Sequence, residues 1–154
     1  MRRRESATNS AVSRASALLS EWTGLELRGA TPRRVDEFLK TRAQQLGYDS
    51  KSAYVDHLQS LEPDDPESQR LINLVTNGLT AFWRDKPQLD ALATVLDKLR
   101  EGRSNDQPVN VWCAGCSSGE EAYTVAMIAD RHDVPTYVLG SDLNTEALAS
   151  ARRG

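Results

Sequence analysis

Residues 110–127 read NVWCAGCSSGEEAYTVAM, and four small residues, Gly115, Ser117, Ser118 and Gly119, fall between a β-rich run and the start of a helical pattern. Small residues there let the backbone approach a ligand closely, and the first amides of the helix point toward it. A cofactor loop is one reading of G-x-S-x-G, which only approximates the dinucleotide fingerprint; a tight strand-to-helix turn accounts for the same spacing equally well. Glu120 and Glu121 follow at once. Carboxylates in a first helical turn are favoured by the helix dipole, but they would also repel a pyrophosphate and attract a cationic cofactor. S-adenosylmethionine (SAM) carries a sulfonium and an ammonium group and no phosphate, so the acidic loop favours it over NAD or ATP. Asp142 lies about 20 residues beyond the loop, at the end of a second β-rich run, where a carboxylate accepts hydrogen bonds from ribose hydroxyls. Capping of the next helix by Asp142 or Asn144 is the alternative use, and the upstream glycine loop favours the ribose role.

Other reactive residue types point to less. Cys113 and Cys116 have redox or zinc spacing, but no second cysteine pair exists and the only histidines are His57 and His132, so metal binding is not expected. In TNGLTAFWRD, residues 76–85, the composition alone suggests core aromatics, Phe82 and Trp83, beside a surface arginine, Arg84.

These residues must be positioned by a chain of 154 residues, which is too short for a large multidomain enzyme. Its 39% hydrophobic and 27% charged content, with a mean hydropathy of -0.54, describe a globular chain with a core. The basic start, MRRRESATNS, lacks the apolar stretch of a signal peptide, two cysteines fit a reducing compartment, and no apolar run is long enough for a membrane span. A cytoplasmic location is the expectation. Net charge is -3, with a mildly basic front and an acidic back; a sequence pI of about 5.4 leaves no basic stripe for nucleic acid.

Helical spacing dominates up to residue 102. One helix carries Val12, Leu18, Leu19 and Trp22 and stops at Gly24. A second starts at a capping Thr31 and Pro32, carries Val35, Phe38, Leu39 and Leu46, and ends at Gly47. A third spans about 53–61 with Tyr54, Val55 and Leu58 inward. A fourth follows a capping Asp65 and Pro66, with Leu71, Ile72, Leu74 and Val75 buried and Gly78 closing it. A fifth opens at Pro87 and buries Leu89, Leu92, Val95, Leu96 and Leu99 before Gly102. After a polar linker at 102–108 the pattern becomes strand (Val109–Cys113), glycine loop, helix (about 119–131), strand (136–140), Asp142 and helix (145–153). That order opens a parallel nucleotide-binding sheet. The fold class expected is therefore α plus α/β, with an all-helical domain and connecting helix over 1–102 and a partial Rossmann-like domain over 103–154.

Together these segments resemble the CheR family of chemotaxis receptor methyltransferases, SAM-dependent protein-glutamate O-methyltransferases. VTNGLTAFWRD is similar to the family's T-T-N-x-T-x-F-F-R-E, NVWCAGCSSGEEAYTVAM to its V-W-S-A-G-C-S-T-G-E-E-P-Y-S-I-A-M, and LGSDLNTEALASAR to its G-T-D-I-x-x-x-x-L-x-x-A-R. LLSEWTGLEL and the arginine-rich helix after it resemble the family's small helical domain. Three ordered matches at compatible spacing are far more specific than one.

The resemblance implies SAM as methyl donor, with S-adenosylhomocysteine as product, and places Asn77, Thr80, Arg84, Gly115, Ser117, Gly119, Glu120 and Asp142 at the cofactor, Arg84 also being catalytic. Glu121 is the second choice beside Glu120. Gly78 stands where the family has asparagine, with Asn77 one position earlier; Ala122 replaces a proline and Trp83 a phenylalanine. The resemblance also implies docking of Arg33, Arg34, Lys40 and Arg42 on the acidic methylation helices of a chemoreceptor. A solvated face with pairs such as Asp36 with Lys40 is the alternative. Other functional readings are a non-catalytic SAM- or receptor-binding module and a SAM methyltransferase with another acceptor. Only the first two strands of the family's larger sheet are present, so the expectation is a chain truncated after the second strand: a fragment, a swapped or associated oligomer, or a binding-only remnant.

Overall fold

The computed structural model describes residues 2–27, 29, 31–101 and 107–154, with side chains from Ala11 onward. Among them are seven helices and one two-stranded parallel sheet, and the chain divides into two compact units between Thr76 and Asn77. No helix of the described residues is long and apolar enough to cross a membrane.

The first unit is built from α1 (Arg2–Thr23), α2 (Thr31–Gln45), α3 (Lys51–Leu58) and α4 (Pro66–Val75). Ala11, Ala15, Leu18 and Leu19 form one face of α1 and meet Val35, Leu39 and Ala43 of α2 in a single core with Tyr54, Val55, Leu58, Leu71 and Ile72. Each fully buried leucine contributes about 1.5–3 kcal/mol relative to an exposed one. Gly47, at φ 77°, ends α2 in a left-handed turn in which Tyr48 N–H donates to Ala43 O at 2.8 Å and Gly47 N–H to Gln44 O at 3.2 Å. Those two bonds satisfy last-turn carbonyls that would otherwise be orphaned. Leu46, expected in the buried stripe, lies past the helix end and is exposed.

Ser50 caps α3 by accepting from Ala53 N–H at 3.1 Å, so this helix starts at Lys51 rather than 53. Asp65 caps α4 as expected, accepting from Glu67 N–H at 2.8 Å. This helix ends at Val75 and not at Gly78, because Thr76 turns extended and its hydroxyl caps Asn73 O at 3.0 Å.

The second unit contains α5 (Lys86–Glu101), β1 (Val109–Ala114), α6 (Glu120–Arg131), β2 (Thr136–Ser141) and α7 (Thr145–Ala151). β1 and β2 run parallel in register from Val109↔Thr136 to Ala114↔Ser141, joined through α6 as a βαβ unit. Alternation then sorts the side chains. Val109 and Cys113 of β1 are buried in two small clusters with α6 residues Val125, Ile128 and Ala129, while Leu96 of α5 joins the first of these clusters. Trp112, Tyr137 and Leu139 point the other way and remain exposed. On α5, Val95 and Leu99 are exposed as well, so the helix buries a narrower stripe than its periodicity suggests. The expected 102–103 boundary and most of the polar linker lie outside the described residues. Asn144 caps α7 through Ala147 N–H at 2.9 Å, and that helix ends at Ala151, two residues before its expected end.

Candidate functional site

The loop between β1 and α6 is shaped by backbone conformations that few residues adopt. Gly115 has φ 77° and Gly119 φ 101°, and Ser117 takes φ 49° despite its side chain. Gly119 is required twice over. A Cβ there would sit 3.0 Å from both the Ala151 Cβ and the Tyr123 ring, and its φ is one that L side chains rarely adopt.

The loop is tied to the end of β2. Gly115 and Cys116 N–H groups both donate to Ser141 O, at 2.7 and 2.9 Å. Asp142 accepts from Ser117 N–H through Oδ2 at 2.7 Å and from Asn144 N–H through Oδ1 at 2.8 Å. An ionised carboxylate offers about four acceptor positions, so Asp142 retains acceptor capacity for hydroxyl donors after holding the loop. The helix cap is Asn144, the other residue for which that role was open in the sequence.

Two cavities flank this loop. The first, of about 320 Å³, is lined by Thr80, Arg84, Trp112, Gly115 and Glu121 among others. The second, of about 520 Å³, includes Gly119, Gly140, Asp142 and Leu148. Thr80, Arg84 and Gly115 are thus brought together, while Gly119 and Asp142 meet on the other side. Ser117 links the two sides, its N–H on Asp142 and its hydroxyl 3.4 Å from Gly78 O. Asn77 turns back on its own segment, where its Oδ1 accepts from Leu79 N–H at 3.2 Å.

Of the two glutamates, Glu121 lines the first cleft. Glu120 instead accepts from Ser118 Oγ at 2.8 Å. Adjacent helical residues point about 100° apart, and the phase of α6 turns Glu121 toward this cleft and Glu120 toward Ser118. The sequence contains both residues but not the helical phase that selects between them. Thr124, which sequence reasoning passed over, also lines this cleft; its place one turn after Glu120 was the available signal.

The cleft brings Arg84 and Glu121 together beside the Gly115 backbone, a combination that suits a zwitterionic ligand end. Arg84 Nη1 donates to Leu79 O at 2.6 Å, yet its side chain stays half exposed. Both thiols are buried, which works against forming the reactive thiolate. Burial, reinforced by the charge of Glu121, pushes Cys113 up to about 11, and burial followed by the charge of Asp142 raises Cys116. Both are free, and no metal-binding cluster occurs among the described residues. Iodoacetamide at pH 7.5 should leave both cysteines unmodified in the folded chain and alkylate them after denaturation. Rapid alkylation of Cys113 in the native state would contradict this burial.

In the first unit, the basic residues of α2 have different surroundings. Arg42 forms a paired contact with Glu67, Nε to Oε1 and Nη2 to Oε2 both at 2.6 Å, and Tyr54 O–H donates to the same carboxylate at 2.6 Å. Arg42 is therefore committed to the fold of this unit. Arg34 donates to Leu74 O at 2.7 Å, exposed Arg33 pairs with Glu37 at 3.1 Å, and Lys40 is exposed. Asp36 pairs with Lys51 rather than with Lys40.

Comparison with known proteins gives a consistent picture. Residues 78–154 match the family model described as CheR methyltransferase, SAM binding domain. A chemotaxis protein methyltransferase 2 of Pseudomonas aeruginosa is 32% identical over 136 residues, covering 86% of this chain and 46% of that protein. The chemotaxis protein methyltransferase of Escherichia coli is 32% identical over 145 residues, covering 92% and 48%. That of Borreliella burgdorferi is 26% identical over 156 aligned residues, covering 96% and 55%. The chain spans about half the length of these curated relatives.

Proposed function

The chain belongs to the CheR methyltransferase family and carries sequence of its SAM-binding domain, and from this premise we propose that the cleft beside the β1–α6 loop holds the amino-acid end of SAM for methyl transfer to receptor glutamates. The observation that carries the reading is the convergence of Thr80, Arg84, Gly115 and Glu121 on one cleft. Arg84 suits the cofactor's carboxylate, Glu121 its cationic groups, and Gly115 lets the backbone approach. Asp142, with acceptor positions to spare, suits the ribose hydroxyls. Gly119 and Ser117 keep the loop in shape, while Asn77 holds the Leu79 N–H and Glu120 the Ser118 hydroxyl.

SAM supplies a methyl group on a cationic sulfur. The protein's own contribution is positioning and exclusion of water. A glutamate acceptor is already ionised at neutral pH, its ordinary pKa being about 4.3, so the site needs no strong base. Arg84, half exposed at the cleft, holds the cofactor end in place for the transfer. The exposed Arg33 and Lys40, with Arg34 beside them on α2, form the face proposed to meet the acidic methylation helices of a chemoreceptor.

Calorimetric titration of this chain with SAM and S-adenosylhomocysteine tests the cofactor site. Saturable binding of both is expected, and the absence of heat at millimolar ligand would leave only a non-binding remnant. Transfer of tritiated methyl to receptor cytoplasmic fragments, by a protein of the relatives' length carrying this segment, tests the acceptor. Labelling of free carboxylic acids instead of the fragments would assign a different substrate.

A further inference from the structure

Arg84 sits between two residues in the left-handed region: Trp83 and Asp85 both have φ 58°. Asp tolerates this region, but for a bulky residue such as Trp83 the conformation is strained and persists only where surrounding contacts hold it. Asp85 is held by the start of α5, its carbonyl accepting from Gln88 N–H at 2.9 Å and Leu89 N–H at 3.3 Å. Trp83 is held from α6. Its N–H donates to Thr124 Oγ1 at 3.3 Å, and the same hydroxyl donates to Glu120 O at 2.6 Å. Seven residues further along α6, about two turns, the Arg131 guanidinium lies 6.0 Å from the Trp83 ring centroid. Thr124 is 1% exposed and lines the same cleft as Thr80, Arg84 and Glu121.

We propose that Thr124 is a positioning residue: its hydroxyl, bridging the first turn of α6 to Trp83 N–H, holds the strained backbone that presents Arg84 to the cleft. The proposal rests on the reading of that cleft as the SAM site. A hydroxyl is needed because one atom must both accept from Trp83 and donate to Glu120, which valine of nearly the same shape cannot do. Without it, Trp83 relaxes toward ordinary φ, and Arg84 turns with the backbone.

The test uses S-adenosylhomocysteine calorimetry on the unsubstituted chain and on Thr124→Val and Thr124→Ser, with hydrogen exchange at Trp83 N–H measured in all three. Thr124→Val should weaken binding about tenfold, the effect of one lost hydrogen bond, and speed exchange at Trp83. Thr124→Ser, which keeps the hydroxyl, should remain within about twofold of the original, since the bond itself is preserved. If the valine variant does not fold, Thr124→Ala takes its place in the same comparison. Binding by Thr124→Val as tight as the original, or by Thr124→Ser as weak as the valine variant, overturns the proposal. No binding by the unsubstituted chain overturns the cofactor reading itself, and this proposal with it.

Discussion

Arg84→Ala is expected to weaken SAM binding by this chain between about tenfold and a hundredfold, the range for losing a hydrogen bond to a charged group, while its unfolding midpoint stays put. The separation of the two effects follows from where Arg84 stands. Arg84 lines the cleft, its side chain remains half exposed, and its guanidinium makes one bond to Leu79 O and a loose 3.7 Å contact with Asp85. Exposed pairs of that kind add little stability. In a protein of the relatives' length, the same substitution should abolish methyl transfer. Thermal unfolding followed by circular dichroism, beside calorimetry, checks both halves. Unchanged affinity and turnover would remove Arg84 from the mechanism, and a large drop in midpoint would reassign it to the fold.

Glu67→Ala should act in the opposite sense, destabilising the first unit without touching the cleft residues. Glu67 is held below the usual carboxylate range chiefly by its hydrogen bonds from Arg42, with Tyr54 adding to the effect against the penalty of burial. Burial and the hydrogen bond to Glu67 raise Tyr54 well above the usual phenol range, so it stays a neutral donor. Arg42 is raised by the same carboxylate. Removing the acid leaves Arg42 and Tyr54 without the partner they share. The loss should be about 2–3 kcal/mol, short of the full penalty for a wholly buried pair because Arg42 keeps some water contact.

The pH dependence has a definite sign. A carboxylate depressed in the folded state stabilises above its ordinary pKa and loses that contribution as pH falls through the folded value. The resistance of the original chain to denaturant should therefore fall as pH drops below about 4.3, with a flatter profile in the Glu67→Ala variant over the same window. Equal slopes would show that the Glu67 contact does not govern acid stability.

Much of the candidate site was legible because its residues lie in short contiguous stretches. The glycine loop, the glutamate pair and Asp142 are spaced by one strand–loop–helix–strand passage, and periodicity alone located the helices that frame it. Errors fell where a local signal competes with a contact from elsewhere. Gly78 reads as a stop, but the Thr76 hydroxyl ends α4 earlier; Leu46 fits the stripe of α2, but Gly47 ends the helix before that position is covered. Arg42 looks like one more cation on a basic helix until Glu67, 25 residues away, is seen to hold it. The resemblance to three family segments, supported by the match over residues 78–154, carried the function further than spacing could.

The sequence by itself determined which residue types are available for binding, the order of the elements that carry them, and the membership that names the cofactor. Only the tertiary structure decided which of Glu120 and Glu121 faces the cleft, that Asp142 holds the loop as well as offering acceptors, and that Thr124 reaches Trp83 across 41 residues. The reason is geometric. Periodicity records whether a side chain faces in or out, whereas the partner it meets depends on helical phase and on backbone conformations, such as that at Trp83, that packing enforces against local preference.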